Sequence, residues 1–554
     1  MAATPMQTRG GNKYLIALVA ALGLIPIVLD TTIVNVALTP IRQALHSDVN
    51  TAQWVISGYF LASAAVVAIG GYLASRFGRK WLFTLGLASF TLGSALCAVA
   101  PSMNWLIAFR VFQGIGGGIL LPIGPALAFD GFPQEERARA SALIGVPLLL
   151  APVFGPIAGG YLTDTFDWHS IFYINLPVGA LALLAALAVL PPERPASTSG
   201  ARFDWLGLAL STVGIVAVVY GLTLVTRTDP ATVTAANPSG DLYGWGSWLV
   251  WTLIGGGGAL LAIFAAYSLW VSRDPALDLR QLARRDFLVS NLFNWATALI
   301  SFGLLLLLPV YFESVRSPGL SALDTGLALV PFGVGGIVGT LLAAALYRAL
   351  GPRLVVAIGA VLAALSAWLI AHTIQPTATA SQLLAAAQTH TSVAAVARAD
   401  DLRWWLFLVG LSFTFMNIPV QTLALEALNG EALAKASSLF LTTKLIFSSI
   451  GVAILTTLLV SFTRSRATDL VHQLETLTGG GSAQPSSPQA LAALHGLLTQ
   501  IGVQAGTWAM QSIFWLIFYG SLGLVALALA LPGRRRAASA QPAANADVAQ
   551  TVRA

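Results

Sequence analysis

The chain has 554 residues, 56% of them hydrophobic and 9% charged, with a mean hydropathy of +0.78. Soluble domains carry about a quarter charged residues and cannot hide this much apolar surface, so a water-soluble fold is excluded. The formal net charge of +6 is no nucleic-acid footprint, because the basic residues fall in short loops between apolar runs, where membrane topology explains them.

Long runs of Leu, Ala, Val and Ile without ten-residue alternation exclude a membrane β-barrel and predict an all-α polytopic membrane protein. The stretch Met1 to Tyr14 leads into the first run without the usual small-residue cleavage site, so the first span is expected to be retained. Apolar runs of about twenty residues place spans near 14–36, 52–74, 81–100, 105–128, 141–163, 168–190, 205–226, 248–271, 287–312, 322–346, 353–373, 402–428, 437–463 and 507–531. With the N-terminus inside, roughly 20 of the 29 Lys and Arg fall in inner segments and roughly 7 in outer ones, which predicts both termini cytoplasmic. The sharpest inner markers are Ser75 to Lys80, Arg273 to Asp286 and Gly533 to Arg536.

Two stretches hint at internal repetition. "GGYLASRFGRK" (Gly70 to Lys80) follows the second span and "AALYRALGPR" (Ala344 to Arg353) the tenth, and superposing Gly78 on Gly351 sets Ser75 against Arg348. Two six-span halves separated by spans seven and eight would result, as in a transporter built from parallel repeats. The expected organisation is an N-terminal six-helix half over 1–192, a linker with two extra transmembrane helices over 193–285, a C-terminal six-helix half over 286–533 and a disordered cytoplasmic tail over 534–554. The outer loops near 374–401 and 464–506 are long, and the Gly-, Ser- and Pro-rich Thr478 to Gln489 within the second favours flexibility.

Ionisable side chains inside spans are costly, so each is a functional candidate whose partner should be named. Asp30 in the first span and Arg110 in the fourth sit roughly 8 to 10 Å below the outer boundary. A pair at matched depth neutralises itself; it is either a proton-accepting carboxylate tuned by an arginine or a fixed structural ion pair. Lys444 lies inside span thirteen with no partner on its own helix, and three readings stay open: attraction of anionic substrate groups, a proton site, or a lysine snorkelling to the inner boundary. Glu426, near the inner end of span twelve, reads as interfacial. Asn35, Gln113, Asn417, Gln421 and Lys444 are the candidate cavity-lining residues; Asn417 and Gln421, one turn apart, share a face.

The stretch Gly145 to Leu162 gathers Pro147, Pro152, Gly155, Pro156, Gly159 and Gly160 in one span, where small residues permit close approach and prolines bend the axis. "GIGGGILLPIG" (Gly114 to Gly124) lacks the Lys and Ser or Thr of a phosphate loop and lies within a span. The lone Cys97 excludes an intrachain disulfide and a thiolate metal cluster. No HExxH and no GxSxG with triad partners occurs, and the six histidines fall in loops or at span ends, so neither enzyme nor cofactor nor metal is expected.

Several motifs in order resemble one family, the fourteen-span drug:proton antiporters of the major facilitator superfamily. "LDTTIVNVAL" is similar to that family's first-span signature and "GYLASRFGRK" to the superfamily's loop between spans two and three. "RVFQGIGGG" is similar to the fourth-span arginine motif, "APVFGPIAGG" to the fifth-span antiporter motif, and "WHSIFYINLPVG" and "FDWLGLAL" to the sixth span and the start of the extra pair. The resemblance implies the major facilitator fold with about fourteen transmembrane helices, alternating access, and outward drug movement driven by inward protons. On it Asp30 is the proton-linked acid and Arg110 its partner. Gly71, Ser75, Arg76, Gly78 and Arg79 form a cytoplasmic latch, and Pro152, Gly155, Pro156, Gly159 and Gly160 a bending helix that limits leak. Ser75 stands where the loop motif usually has aspartate, and Ala151 where the antiporter motif often has glycine. Span thirteen offers Lys444 and no carboxylate, which leaves neutral, zwitterionic and anionic substrates open beside cations.

The expected function is export of lipophilic small molecules across a prokaryotic cell membrane, with protons, the bilayer and, where the host has two membranes, a periplasmic adaptor as partners. A dedicated exporter of an endogenous secondary metabolite, lipid, siderophore or amino acid is the alternative, and a non-transporting membrane sensor the alternative from another class.

Overall fold

The computed structural model describes residues 13–531 apart from 131, 133–136, 192–203, 233–240, 273–274, 276, 317, 377, 390–398, 427–429 and 479–487. The tail over 534–554, His390 and nearly all of Thr478 to Gln489 therefore lie outside the described residues.

The chain folds as helices with no strand among the described residues beyond an isolated pairing of Thr228 with Leu242. In order these are α1 (Lys13–Ala44), α2 (Val49–Ala52), α3 (Trp54–Phe77), α4 (Arg79–Ala98), α5 (Met103–Asp130), α6 (Arg137–Thr165), α7 (Ser170–Tyr173), α8 (Asn175–Val189) and α9 (Trp205–Leu224). There follow α10 (Trp248–Ala266), α11 (Arg285–Val310), α12 (Ala322–Ala328), α13 (Val330–Leu350), α14 (Pro352–Thr373), α15 (Ala380–Thr389), α16 (Ala399–Glu426), α17 (Gly430–Thr478) and α18 (Pro488–Ala528). Thirteen segments are long and apolar enough to cross a membrane, and the 29-residue α6 completes a set of about fourteen. In hydrocarbon every backbone N–H and C=O must be bonded within its own segment, which is why runs this apolar settle as helices.

Large apolar side chains such as Leu85, Leu184 and Trp248 point outward from these helices, which suits a lipid surround and not water. Packing gathers α1, α3, α4, α5, α6 and α8 around one core and α11, α13, α14, α16, α17 and α18 around another. The extra pair α9 and α10 pack on each other, α9 also touching α3 and α17. The two halves meet chiefly where α3 lies on α17, α6 on α12 and α13, and α1 on α11.

The superposition of Gly78 on Gly351 has a structural counterpart. Gly78 joins α3 to α4 at φ 79°, ψ 149°, and Gly351 joins α13 to α14 at φ 80°, ψ 163°. Glycine alone adopts such backbone freely, and it turns the chain back within one residue. Equivalent junctions in the two halves have the same conformation.

The segments expected as long loops near 374–401 and 464–506 are helical over most of their described residues, Ile374 to Thr379 excepted. α15 occupies part of the first; α17 continues for 49 residues and α18 begins at Pro488, so the second is largely helix. The cause is a small separate core, in which Ala380, Leu383, Leu470, Leu474 and Ile501 bury their side chains against one another.

Candidate functional site

The middle of the first core holds a polar network. Asp30 and Arg110 are each 1% exposed, and Arg110 Nη1 donates to Asp30 Oδ2 at 2.5 Å. Arg110 Nη1 also donates to Gln113 Oε1 at 2.7 Å, and its Nε to the Val55 carbonyl at 3.0 Å. Gln113, one turn along α5, returns an N–H from Nε2 to Asp30 Oδ1 at 3.2 Å. The Tyr59 ring lies 4.5 Å from the guanidinium carbon, so cation–π attraction adds to the ion pair. A charge pair removed from water needs further hydrogen bonds, and here Gln113 and the Val55 carbonyl supply several of them.

Sequence reasoning missed Asn175 as a member of this network. Its Nδ2 donates to Ser94 Oγ at 3.1 Å and reaches Asp30 Oδ1 at 3.4 Å, linking α8 and α4 to α1. The signal was available: an amide in the middle of the apolar "WHSIFYINLPVG" has to find a partner. Gln113 is fully buried within the network, so it lines no open cavity. Asn35 is also buried, donates to the Thr31 carbonyl of its own helix at 2.6 Å, and makes no contact with the ion pair.

The glycines of α6 face two ways. Those at Gly155 and Gly159 meet α1: a Cβ on Gly159 would lie 3.0 Å from the Ile33 carbonyl oxygen, and Thr32 fills the space beside Gly155. Gly160 meets the start of α12, where a Cβ would lie 2.6 Å from Leu323 Cα, and Gly326 of α12 answers it by packing on Pro156. Asp164, one turn beyond Gly160, accepts N–H bonds from Ala322 at 3.3 Å and Leu323 at 2.7 Å. At the end of the bundle where α1, α6 and α11 finish, one helix of the first half is thus sealed to the second. Pro152 lies in α6, outside the residues whose surroundings are described.

Glu313, also missed because the ninth span was ended at 312, sits at this seam in the turn Tyr311–Val315 that follows α11. Both its carboxylate oxygens are buried without a hydrogen bond of full geometry. Thr39 of α1, Thr325 of α12, Asp164 of α6 and Arg42 surround it.

At the opposite end, Gly71 and Ser75 lie in the last turns of α3, outside the residues whose surroundings are described; Arg76 is exposed and Arg79 opens α4. Lys80 donates to the Leu187 and Leu190 carbonyls at 3.1 and 2.5 Å, closing the end of α8. In the second half Lys444 Nζ donates to Asn417 Oδ1 at 3.1 Å, joining α17 to α16, while Gln421 is exposed and does not take part. Glu426 ends α16 with its side chain outside the described set. Among the described residues no group of His, Cys, Asp and Glu could hold a metal ion.

About fourteen membrane-spanning helices in two packed halves, with a buried ion pair inside one half, are the architecture of a membrane transporter. The chain belongs to the Major Facilitator Superfamily, whose family model matches residues 20–452. It is 32% identical over 471 residues, 83% of this chain and 79% of the other, to the "Multidrug resistance protein B homolog" of Mycobacterium tuberculosis. It is 29% identical over 534 residues, 93% and 95% of the two chains, to the "Multidrug export protein EmrB" of Escherichia coli. The crystal structure of the peptide transporter POT in complex with sulfate shares the fold, with a TM-score of 0.58 at 17% identity over 96% of this chain and 98% of that one.

Proposed function

We propose that this protein is a proton-coupled exporter of lipophilic small molecules that works by alternating access, with Asp30 as the exchanging acid and Arg110 as its counter-charge. The observation that carries the reading is the buried Asp30–Arg110 pair, held by Gln113 and Asn175 on α1, the helix against which the glycine face of α6 packs. A carboxylate whose cationic partner stands on a neighbouring helix gives protonation a mechanical consequence: the proton replaces the guanidinium, and the hold of α5 on α1 is loosened. The names of the relatives, multidrug resistance and multidrug export, support drugs as cargo.

In this reading both termini are cytoplasmic and the membrane is the inner membrane of a prokaryote. The two halves span 1–192 and 286–533 and are bridged by the pair within 193–285. The Gly71 to Arg79 loop latches the inner face, while Gly155, Pro156, Gly159 and Gly160 let α6 slide and seal the outer one. A periplasmic adaptor completes the path where the host has a second membrane.

The test is dye efflux from energised cells with and without a protonophore, comparing wild type with Asp30→Asn at matched protein levels. Efflux that collapses in both conditions supports coupling through Asp30. Undiminished efflux in the variant reduces the pair to a structural brace.

A further inference from the structure

Charges inside membrane helices are few and each needs a match. Asp30 and Arg110 match one another. Lys444 has no such partner: its ammonium meets the neutral Asn417 amide at 3.1 Å and the Phe413 ring with its centre 6.0 Å away, and no described carboxylate lies within ion-pair reach. One of three ammonium protons is used by the amide. Asn417 lies nine residues from the end of α16, about 13 Å of helix. The lysine is therefore tied sideways to a neighbouring helix at depth instead of reaching toward a boundary.

A second donor stands in the same region. Trp295 of α11 stacks face to face on Phe447, ring centres 4.9 Å apart and planes 1° from parallel, one turn beyond Lys444 on α17. Its indole N–H is buried without an acceptor, a bond that an incoming acceptor would complete. The Phe413 ring beside the ammonium connects it to apolar surface: it also lines a narrow crevice of about 40 Å³ with Leu304, Val409, Met416 and Phe514, a lining that does not include Lys444, Asn417 or Trp295.

We infer that Lys444, Asn417 and Trp295 form the polar end of a binding site for lipophilic anions, with a carboxylate-type head at the ammonium and indole N–H and an apolar chain entering along Phe413. The inference rests on the proposed reading of the bundle as an exporter and adds the charge of its cargo. A bound anion supplies the counter-charge and acceptors that the site lacks, whereas a cation of the same shape would set like charge against a half-buried ammonium.

The test uses the full-length protein purified in detergent, without any gradient. The probes are 11-(dansylamino)undecanoic acid and its primary amide, followed by dansyl fluorescence. Wild type is expected to bind the acid at least about tenfold more tightly than the amide. Lys444→Gln should bring the acid to the affinity of the amide and leave the amide within about twofold, Lys444→Arg should restore most of the preference, and Trp295→Phe should weaken the acid more than the amide, because the carboxylate is the stronger acceptor. Equal affinities for acid and amide in wild type, or a preference that survives Lys444→Gln, would overturn the inference. Should Lys444→Gln not fold, the wild-type comparison and Trp295→Phe decide it. Proton coupling plays no part in this measurement, so the anion site and the coupling scheme stand or fall separately.

Discussion

Arg110 Nη1 stands 2.5 Å from Asp30 Oδ2 with both side chains sealed from solvent. Removing one partner of a buried pair leaves the other uncompensated, at about 3–5 kcal/mol. Arg110→Ala and Asp30→Asn are both expected to lower the thermal unfolding midpoint of the detergent-purified protein, since each leaves the other side chain buried without its counter-charge. Midpoints at the wild-type value for both variants, read by tryptophan fluorescence, would count against the pair as a support of the first core.

The α6–α12 seam tolerates no added side chain, since a Cβ on Gly160 or Gly326 meets backbone of the facing helix. Gly160→Leu should therefore cost about 1–3 kcal/mol by overpacking and hold the seam apart. A cysteine introduced at Leu323 for a membrane-impermeant thiol reagent is expected to react faster in this variant than in the wild-type background. An unchanged labelling rate would show that the seam does not close this way.

Gly78 and Gly351, at φ 79° and 80°, should respond alike to substitution. Each Gly→Ala change is expected to cost roughly 1–2 kcal/mol, the penalty for a side chain in left-handed backbone. A loss of stability at one junction and none at the other, measured by thermal unfolding, would break the equivalence of the two turns.

Glu313 and Asp164 share the seam but differ in their partners. Asp164 accepts two backbone N–H bonds at the start of α12, so Asp164→Ala should destabilise by about 0.5–2 kcal/mol, as the loss of a helix cap does. Glu313 has no hydrogen bond of full geometry, only the neighbouring Thr39 and Thr325 hydroxyls, which an amide can still meet, so Glu313→Gln removes a buried charge and keeps those contacts. Its unfolding midpoint should match or exceed wild type; a clear fall would mean that the carboxylate is bonded in the membrane.

The transmembrane scaffold was legible because apolar run length is a direct readout of bilayer thickness, and equal depth in separate spans was enough to bring Asp30 and Arg110 to mind as partners. What depth cannot give is azimuth. Gln113 is expected at a cavity because a sequence does not say which face of α5 turns toward α1, and the face that Asn417 shares with Gln421 does not reveal that its amide meets Lys444 on the next helix. Glu313 was lost to a boundary set one residue short. The continuation of α17 escaped a search for apolar windows because its last turns are amphipathic, yet Ala467, Leu470, Val471 and Leu474 keep helical spacing and all pack in the outlying core.

That continuation gives the molecule an external handle. At 49 residues α17 measures about 74 Å, more than twice the thickness of the hydrocarbon layer. The turn holding Lys444 and the turn holding Leu474 are two stations on one rod, and a rod that tilts about its middle moves its tip furthest. A spectroscopic label on the exposed His472, clear of the bilayer, therefore reports the inclination of the helix that holds the lysine, with no probe placed in the membrane.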